Sequence, residues 1–235
     1  MGLRDRISRI VQELQSLELA PDGLELGGIE AQHRLPDLER ALDVAIFDLY
    51  QLNSAERDLV EEMCSVGLDL FYHNQKSDAL REVARPRHSA GTLAEVSKAS
   101  DGLSAYLRVF LEYWNKELAP SAELVWRVVS PPSRAPLLGV SFETHYKNGT
   151  VPASAENGDG AWHDLLAKLE KSSRLPVNSS RIFIDTFFRS VSEREMLFIK
   201  RNERRFWTRT AAREDAESAL THLMNLEDAV LEGKR

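Results

Sequence analysis

The sequence predicts an α+β protein, with a helical part over residues 1–119 and a ββαββα part over residues 120–235. Three observations carry this. Apolar residues before Pro120 recur at helical spacing, those after it alternate with period two, and each of two alternating pairs is followed by a helical pattern. With 235 residues, 43% hydrophobic and 29% charged, the chain can bury a core without a disulfide or a structural metal.

Taken in order, Ile7, Ile10, Val11 and Leu14 line one side of a first helix. Pro21, Asp22 and Gly23, then Gly27 and Gly28, are expected to break it. A second helix is predicted over residues 38–49, with Leu42, Ala45, Ile46 and Leu49 on one face. Asn53 and Glu56 stand at the spacing of a capping box, in which the side chain of each accepts an amide hydrogen from the other's end of the first turn. A third helix should start there, with Leu59, Met63, Val66 and Leu70 as its apolar stripe and Gly67 as its weak point. Residues 86–91 read as a loop. Leu103, Tyr106, Leu107, Phe110, Leu111 and Trp114 mark another amphipathic helix, whose aromatic stripe is expected in the core.

Beyond Pro120, Leu124, Trp126 and Val128 alternate in one strand and Leu138, Val140 and Phe142 in the next. Trp162, Leu165, Leu166 and Leu169 return to helical spacing. Residues 181–191 and 195–200 are predicted as two more strands. Thr210 is the expected N-cap of a last helix, with Glu214 and Asp215 near its positive end and Ala216, Leu220, Leu223 and Leu226 toward the sheet.

The formal net charge is −7, yet residues 181–213 hold nine Lys or Arg against four Asp or Glu. That excludes a histone-like binder and confines any nucleic-acid contact to a local patch. Lys200, Arg201, Arg204, Arg205 and Arg209 surround Trp207 in this run. Guanidinium forks grip phosphate oxygens two at a time, and an indole can stack on an unpaired base. These six are the candidate nucleic-acid contacts, with a protein partner or an internally paired charged face, its turn anchored in the core by Phe206 or Trp207, as the alternatives; Trp207 either stacks or braces the loop.

No glycine-rich phosphate loop, H-E-x-x-H or G-x-S-x-G motif occurs, so no catalytic residue, cofactor or metal is expected. Glu143, His145 and His163 can be imagined around a metal, and Glu143 with Lys147, or Asp185 with Lys200, in a metal-dependent nuclease. Exposed polar residues on a sheet face account for them more simply. Cys64 is the only cysteine, which rules out an internal disulfide and suggests a small buried side chain. No apolar run approaches the roughly 18–20 residues that span a bilayer, and residues 1–6 lack a secretory character, so a cytoplasmic protein without membrane contact is expected.

Residues 40–62 resemble a segment that follows the catalytic domain in many bacterial N6-adenine DNA methyltransferases of restriction, modification and phage-defence systems. The matching positions are Ile46, Phe47, Leu49, Tyr50, Leu52, Asn53 and Glu56. Residues 198–217 also look like a tail found among proteins encoded with such systems. Those enzymes hold a flipped adenine with an Asn/Asp-Pro-Pro-Tyr/Phe motif. Here Ser130, Pro131, Pro132 and Ser133 lack both the polar and the aromatic member, and the methyl-donor loop is missing, so no catalytic residue carries over. The resemblance implies a non-catalytic accessory or DNA-contacting subunit, with DNA and a methyltransferase or helicase subunit as partners. A protein adaptor without nucleic-acid contact, built on the helices at Ile7–Leu14 and Leu103–Trp114, is the competing expectation.

Overall fold

The computed structural model describes residues 2–18, 25–131, 136–146, 162–163, 167, 187–191 and 194–232. The chain divides into two compact units, Met1–Val60 and Glu61–Arg235. The sequence pattern changes at Pro120, but the helix before it shares one core with the sheet after it.

In the first unit, α1 (Leu3–Glu18) packs against α2 (Glu25–Leu49). Helix α2 begins well before residue 38 and runs through Gly27, Gly28 and Pro36, all of which disfavour a helix interior. Tertiary pairing with α1, including the Arg34–Glu13 ion pair, overrides local preference there. Ala45 and Phe47 are buried, whereas Leu49, expected on the apolar face, is exposed. The helix ends at Gln51, whose positive φ of 55° lets Leu52 N donate back to Phe47 O at 3.0 Å. The Asn53 capping box forms as the sequence predicts: Asn53 Oδ1 accepts from Glu56 N at 3.0 Å and Glu56 Oε2 accepts from Asn53 N at 2.8 Å.

Helix α3 (Ser54–Glu62) leads without a break into a π-helical segment, Met63–Leu68, and α4 (Asp69–His73). The wider π turn inserts residues into the 3.6-residue period and rotates the apolar stripe. Leu59 and Met63, predicted to face inward, are exposed, and so is Cys64, expected to be buried.

The second unit holds one antiparallel sheet, in the order β1 (Ala90–Gly91), β2 (Ala122–Val129), β3 (Leu137–Tyr146), β5 (Glu195–Arg201) and β4 (Phe187–Val191). The α+β class therefore holds. Of the predicted ββαββα order, both strand pairs and the last helix, α7 (Arg209–Glu232), are present. Residues 147–161 and 181–186 and most of the expected middle helix lie outside the described residues. The alternation read from sequence places Leu124, Trp126, Leu138, Val140 and Phe142 on the buried face, in the register Trp126↔Phe142 and Val140↔Phe198. Against that face lie α6 (Gly102–Leu118) and α7. All six predicted α6 positions are buried, and Phe110 stacks on Phe142 with ring centroids 3.9 Å apart. Ala212, Ala216 and Ala219 of α7 are small enough to bring it close. Leu197 and Ile199, on the reverse face, are buried too. Among the described residues no helix is long and apolar enough to cross a membrane.

Gly102 fixes how α6 enters this packing. Its φ is +60°, and a Cβ there would sit 2.8 Å from Ala84 O, which already accepts from Leu103 N at 2.9 Å. The obstacle is backbone and cannot rotate away. Gly102→Ala is expected to lower stability by about 2 kcal/mol, from left-handed strain plus displacement of the Ala84 strap. A urea midpoint equal to that of the parent would refute this.

Candidate functional site

The last residues of β5 and the turn into α7 carry the six predicted contacts, and the sheet's pleat sorts them. Met196, Phe198 and Lys200 alternate onto the core face, so Lys200 points inward opposite Leu138, at 4% exposure. Its ammonium is paired with Asp215 of α7, donates to Phe206 O at 3.2 Å, and lies 5.1 Å from the Tyr106 ring centroid and 5.3 Å from that of Trp207. The Tyr106 hydroxyl donates to Asp215 Oδ2 at 2.6 Å. Burial first, then the charge and hydrogen bond of Asp215, push the Tyr106 hydroxyl well above its ordinary value of 10, so it stays a neutral donor.

Trp207, at 1% exposure, packs edge-on to Tyr106 with centroids 5.0 Å apart, and its Nε1 donates to Arg201 O at 2.9 Å. An indole so enclosed has no free face for a base. The expectation that Lys200 meets a ligand is corrected, because the sheet register draws it into the interior, and of the two roles read for Trp207 the packing shows the brace and not the stacking face.

The four arginines separate. Arg201 and Arg205 share Glu203, at 3.3 Å and 2.8 Å, and Arg205 also lies over the Phe206 ring at 4.6 Å. Arg209 pairs with Glu61 at 2.7 Å and Glu62 at 3.3 Å. Arg204 is exposed and has no acidic partner among the described residues; its backbone N donates to Arg81 O at 2.9 Å. A single outward cluster of five cations is thus not assembled at this turn.

Helix α7 is capped by Thr208, whose Oγ1 accepts from Ala211 N at 3.1 Å, two residues before the predicted Thr210. The second cap comes from far away in sequence. Glu62 Oε1 accepts from Arg209 N at 2.7 Å and Oε2 from Thr210 N at 3.0 Å, which places a carboxylate on the positive end of the helix. Burial alone would raise the Glu62 carboxyl, but hydrogen bonds from Thr210, Arg209 and Thr208 outweigh it and hold it below its ordinary 4.5.

Two concavities flank this structure. A cleft of about 360 Å³ is floored by Trp207 and lined by both signs of charge, including Glu62, Asp78, Asp101, Arg81 and Arg204. Two of its cations pair with acids of the same wall, Arg81 with Asp78 at 2.9 Å and Arg209 with Glu62 at 3.3 Å. A second notch, of about 230 Å³, lies at the β1 edge of the sheet. Glu143 and His145 share one face of β3, while Lys147 and Asp185 lie outside the described residues. Among the described residues no three His, Cys, Asp or Glu side chains are grouped to hold a metal. The helix Leu103–Trp114, expected as an adaptor surface, is core and offers no such surface.

Sequence reasoning missed Tyr106 and Glu62 as partners of the basic run; Glu203 and Asp215 stand close to it in sequence and do neutralise it, Asp215 at Lys200 and Glu203 at Arg201 and Arg205. Only the alternation Met196, Phe198, Lys200 signalled in advance that the lysine points inward. No protein-family model, curated protein or solved structure matches this chain.

Proposed function

We propose that this chain is a non-catalytic accessory subunit of a bacterial DNA modification or restriction phage-defence complex, in which it acts as a protein adaptor. One observation carries the reading. Met63, Leu68, Phe71 and Tyr72 are 55%, 43%, 72% and 70% exposed along the continuous helix that leaves Glu62. The π segment brings Met63 onto the side of Leu68, and Leu68 precedes Phe71 and Tyr72 by one further turn, so the four form a stripe. Scattered exposed apolar residues are ordinary, but an aromatic and methionine stripe of this kind marks an interaction surface. The likeness of residues 40–62 to the methyltransferase segment supports the class of system and names the partner sought, a methyltransferase or helicase subunit.

A DNA contact by the 200–209 run has a narrower footing, namely Arg204, which has no acidic partner among the described residues, and the partly exposed Arg201 and Arg205 beside it. One experiment separates the two forms. A methyltransferase or helicase encoded beside this chain is expected to co-purify with it from nuclease-treated lysate. Phe71→Asp with Tyr72→Asp should reduce that retention about tenfold or more while leaving the unfolding curve unchanged, as loss of central aromatic anchors does. Retention that disappears on nuclease treatment of the parent favours a DNA bridge. Retention indifferent to the double variant removes the docking stripe.

A further inference from the structure

We propose that the notch formed by Arg85, Arg87, His88, Ser89 and Ser130 binds a phosphate group. It shares no residue with the docking stripe or with the 200–209 run. The segment carrying it is fixed to the sheet: Val128 N donates to Ser89 O at 2.7 Å and Ala90 pairs with Arg127 of β2. Arg85 Nη1 donates to Ser130 Oγ at 2.7 Å, which spans the notch from loop to strand end and holds the guanidinium in place. The basic groups are therefore presented on a braced frame.

The lining contains no carboxylate. That contrasts with the cleft over Trp207, whose wall includes Glu62, Asp78, Glu82 and Asp101, and with a chain whose net charge is −7. Arg85 and Arg87 have no acidic partner among the described residues. Glu95 lines the adjoining concavity; it caps α5 (Leu93–Val96), accepting from Thr92 N at 2.7 Å and Thr92 Oγ1 at 2.9 Å, and it also feels the charge of His88, which leaves the two guanidinium groups as the cations of the notch without an acid. Two guanidinium forks, an imidazole and two hydroxyls around about 230 Å³ suit a tetrahedral oxyanion, which accepts several charge-assisted hydrogen bonds at once.

The source favoured is a nucleic-acid strand. Arg87, His88 and Ser89 also line the adjoining concavity of about 450 Å³, whose one carboxylate, Glu95, is engaged by Thr92, so a ligand extending from the first phosphate meets the same two basic side chains from their other side. A repeating phosphodiester uses both sides; an isolated phosphate uses one.

The test uses the full chain, a fluorescent single-stranded DNA oligonucleotide read by anisotropy at two salt concentrations, and inorganic phosphate read by the NMR shift of His88. Arg85→Glu with Arg87→Glu is expected to weaken DNA binding about tenfold or more and to flatten the salt slope by about two. Arg201→Glu with Arg204→Glu should change it less than about twofold. Both pairs are surface changes, and coincident unfolding curves check that the fold is kept. Phosphate binding that moves His88 without DNA binding keeps the notch and assigns it a small phosphate ester. DNA affinity untouched by the Arg85 and Arg87 reversal, or neither ligand binding the parent, overturns the proposal.

Discussion

Asp215→Ala is expected to destabilise the protein by about 3–5 kcal/mol, the range for removing one member of a buried ion pair. Asp215 is 7% exposed and is the acceptor of both the Lys200 ammonium and the Tyr106 hydroxyl. Alanine leaves the ammonium against two aromatic rings and the Phe206 carbonyl, with no countercharge at Asp215, and leaves the Tyr106 hydroxyl without its acceptor. The cost lies in the charge left behind. Lys200→Met with Asp215→Leu, which removes both charges, should recover much of the loss because apolar replacements of a buried pair are often tolerated. Urea denaturation of the two single variants and the double closes the cycle. Independent, additive losses would mean the pair is not coupled. A Lys200→Met variant of unchanged stability that loses nucleic-acid binding would return the lysine to a contact role.

The parts of this fold that were legible in the sequence depend on neighbours along the chain. Alternation over Leu124 to Val128 and Leu138 to Phe142 sets a face, and the α6 stripe from Leu103 to Trp114 sets another; each was buried as the period required. The Asn53 box is a three-residue relation and formed as written. The parts that were not legible depend on partners remote in sequence. Whether a basic run faces outward was decided by Asp215 against Lys200, by Glu62 and Glu61 against Arg209, and by Tyr106 against Trp207. Charge counting along residues 181–213 carries no information about those pairings. The π segment at Met63–Leu68 is a second such case: the widened turn leaves no compositional mark, yet it breaks the 3.6-residue period on which the stripe from Leu59 to Leu70 was read, and Met63 and Cys64 within it are exposed. The Arg85–His88 loop was passed over for the opposite reason. Its residues look like ordinary loop chemistry until β1 and Ser130 place them around one concavity.

Glu62→Ala is expected to lower stability by about 3 kcal/mol near neutral pH, because one carboxylate accepts from two first-turn amides and from the Arg209 guanidinium, and charge-assisted bonds of this kind contribute more than neutral ones. The side chain is only 13% exposed, so water does not replace those bonds readily. The pH dependence follows from the lowered carboxyl. Its folded value lies below the ordinary 4.5, so the stabilisation is complete above that value and is lost as pH falls through the lower folded one. Parent and variant should therefore differ most near neutrality and converge in acid. Thermal or urea unfolding of both at about pH 7 and about pH 3 reads the difference directly. A gap that stays constant into acid would show that Glu62 acts through packing and not through its charge. The Glu62→Gln variant separates these further: it keeps the shape and one acceptor, loses the charge on the helix end, and should fall between the other two only at the higher pH.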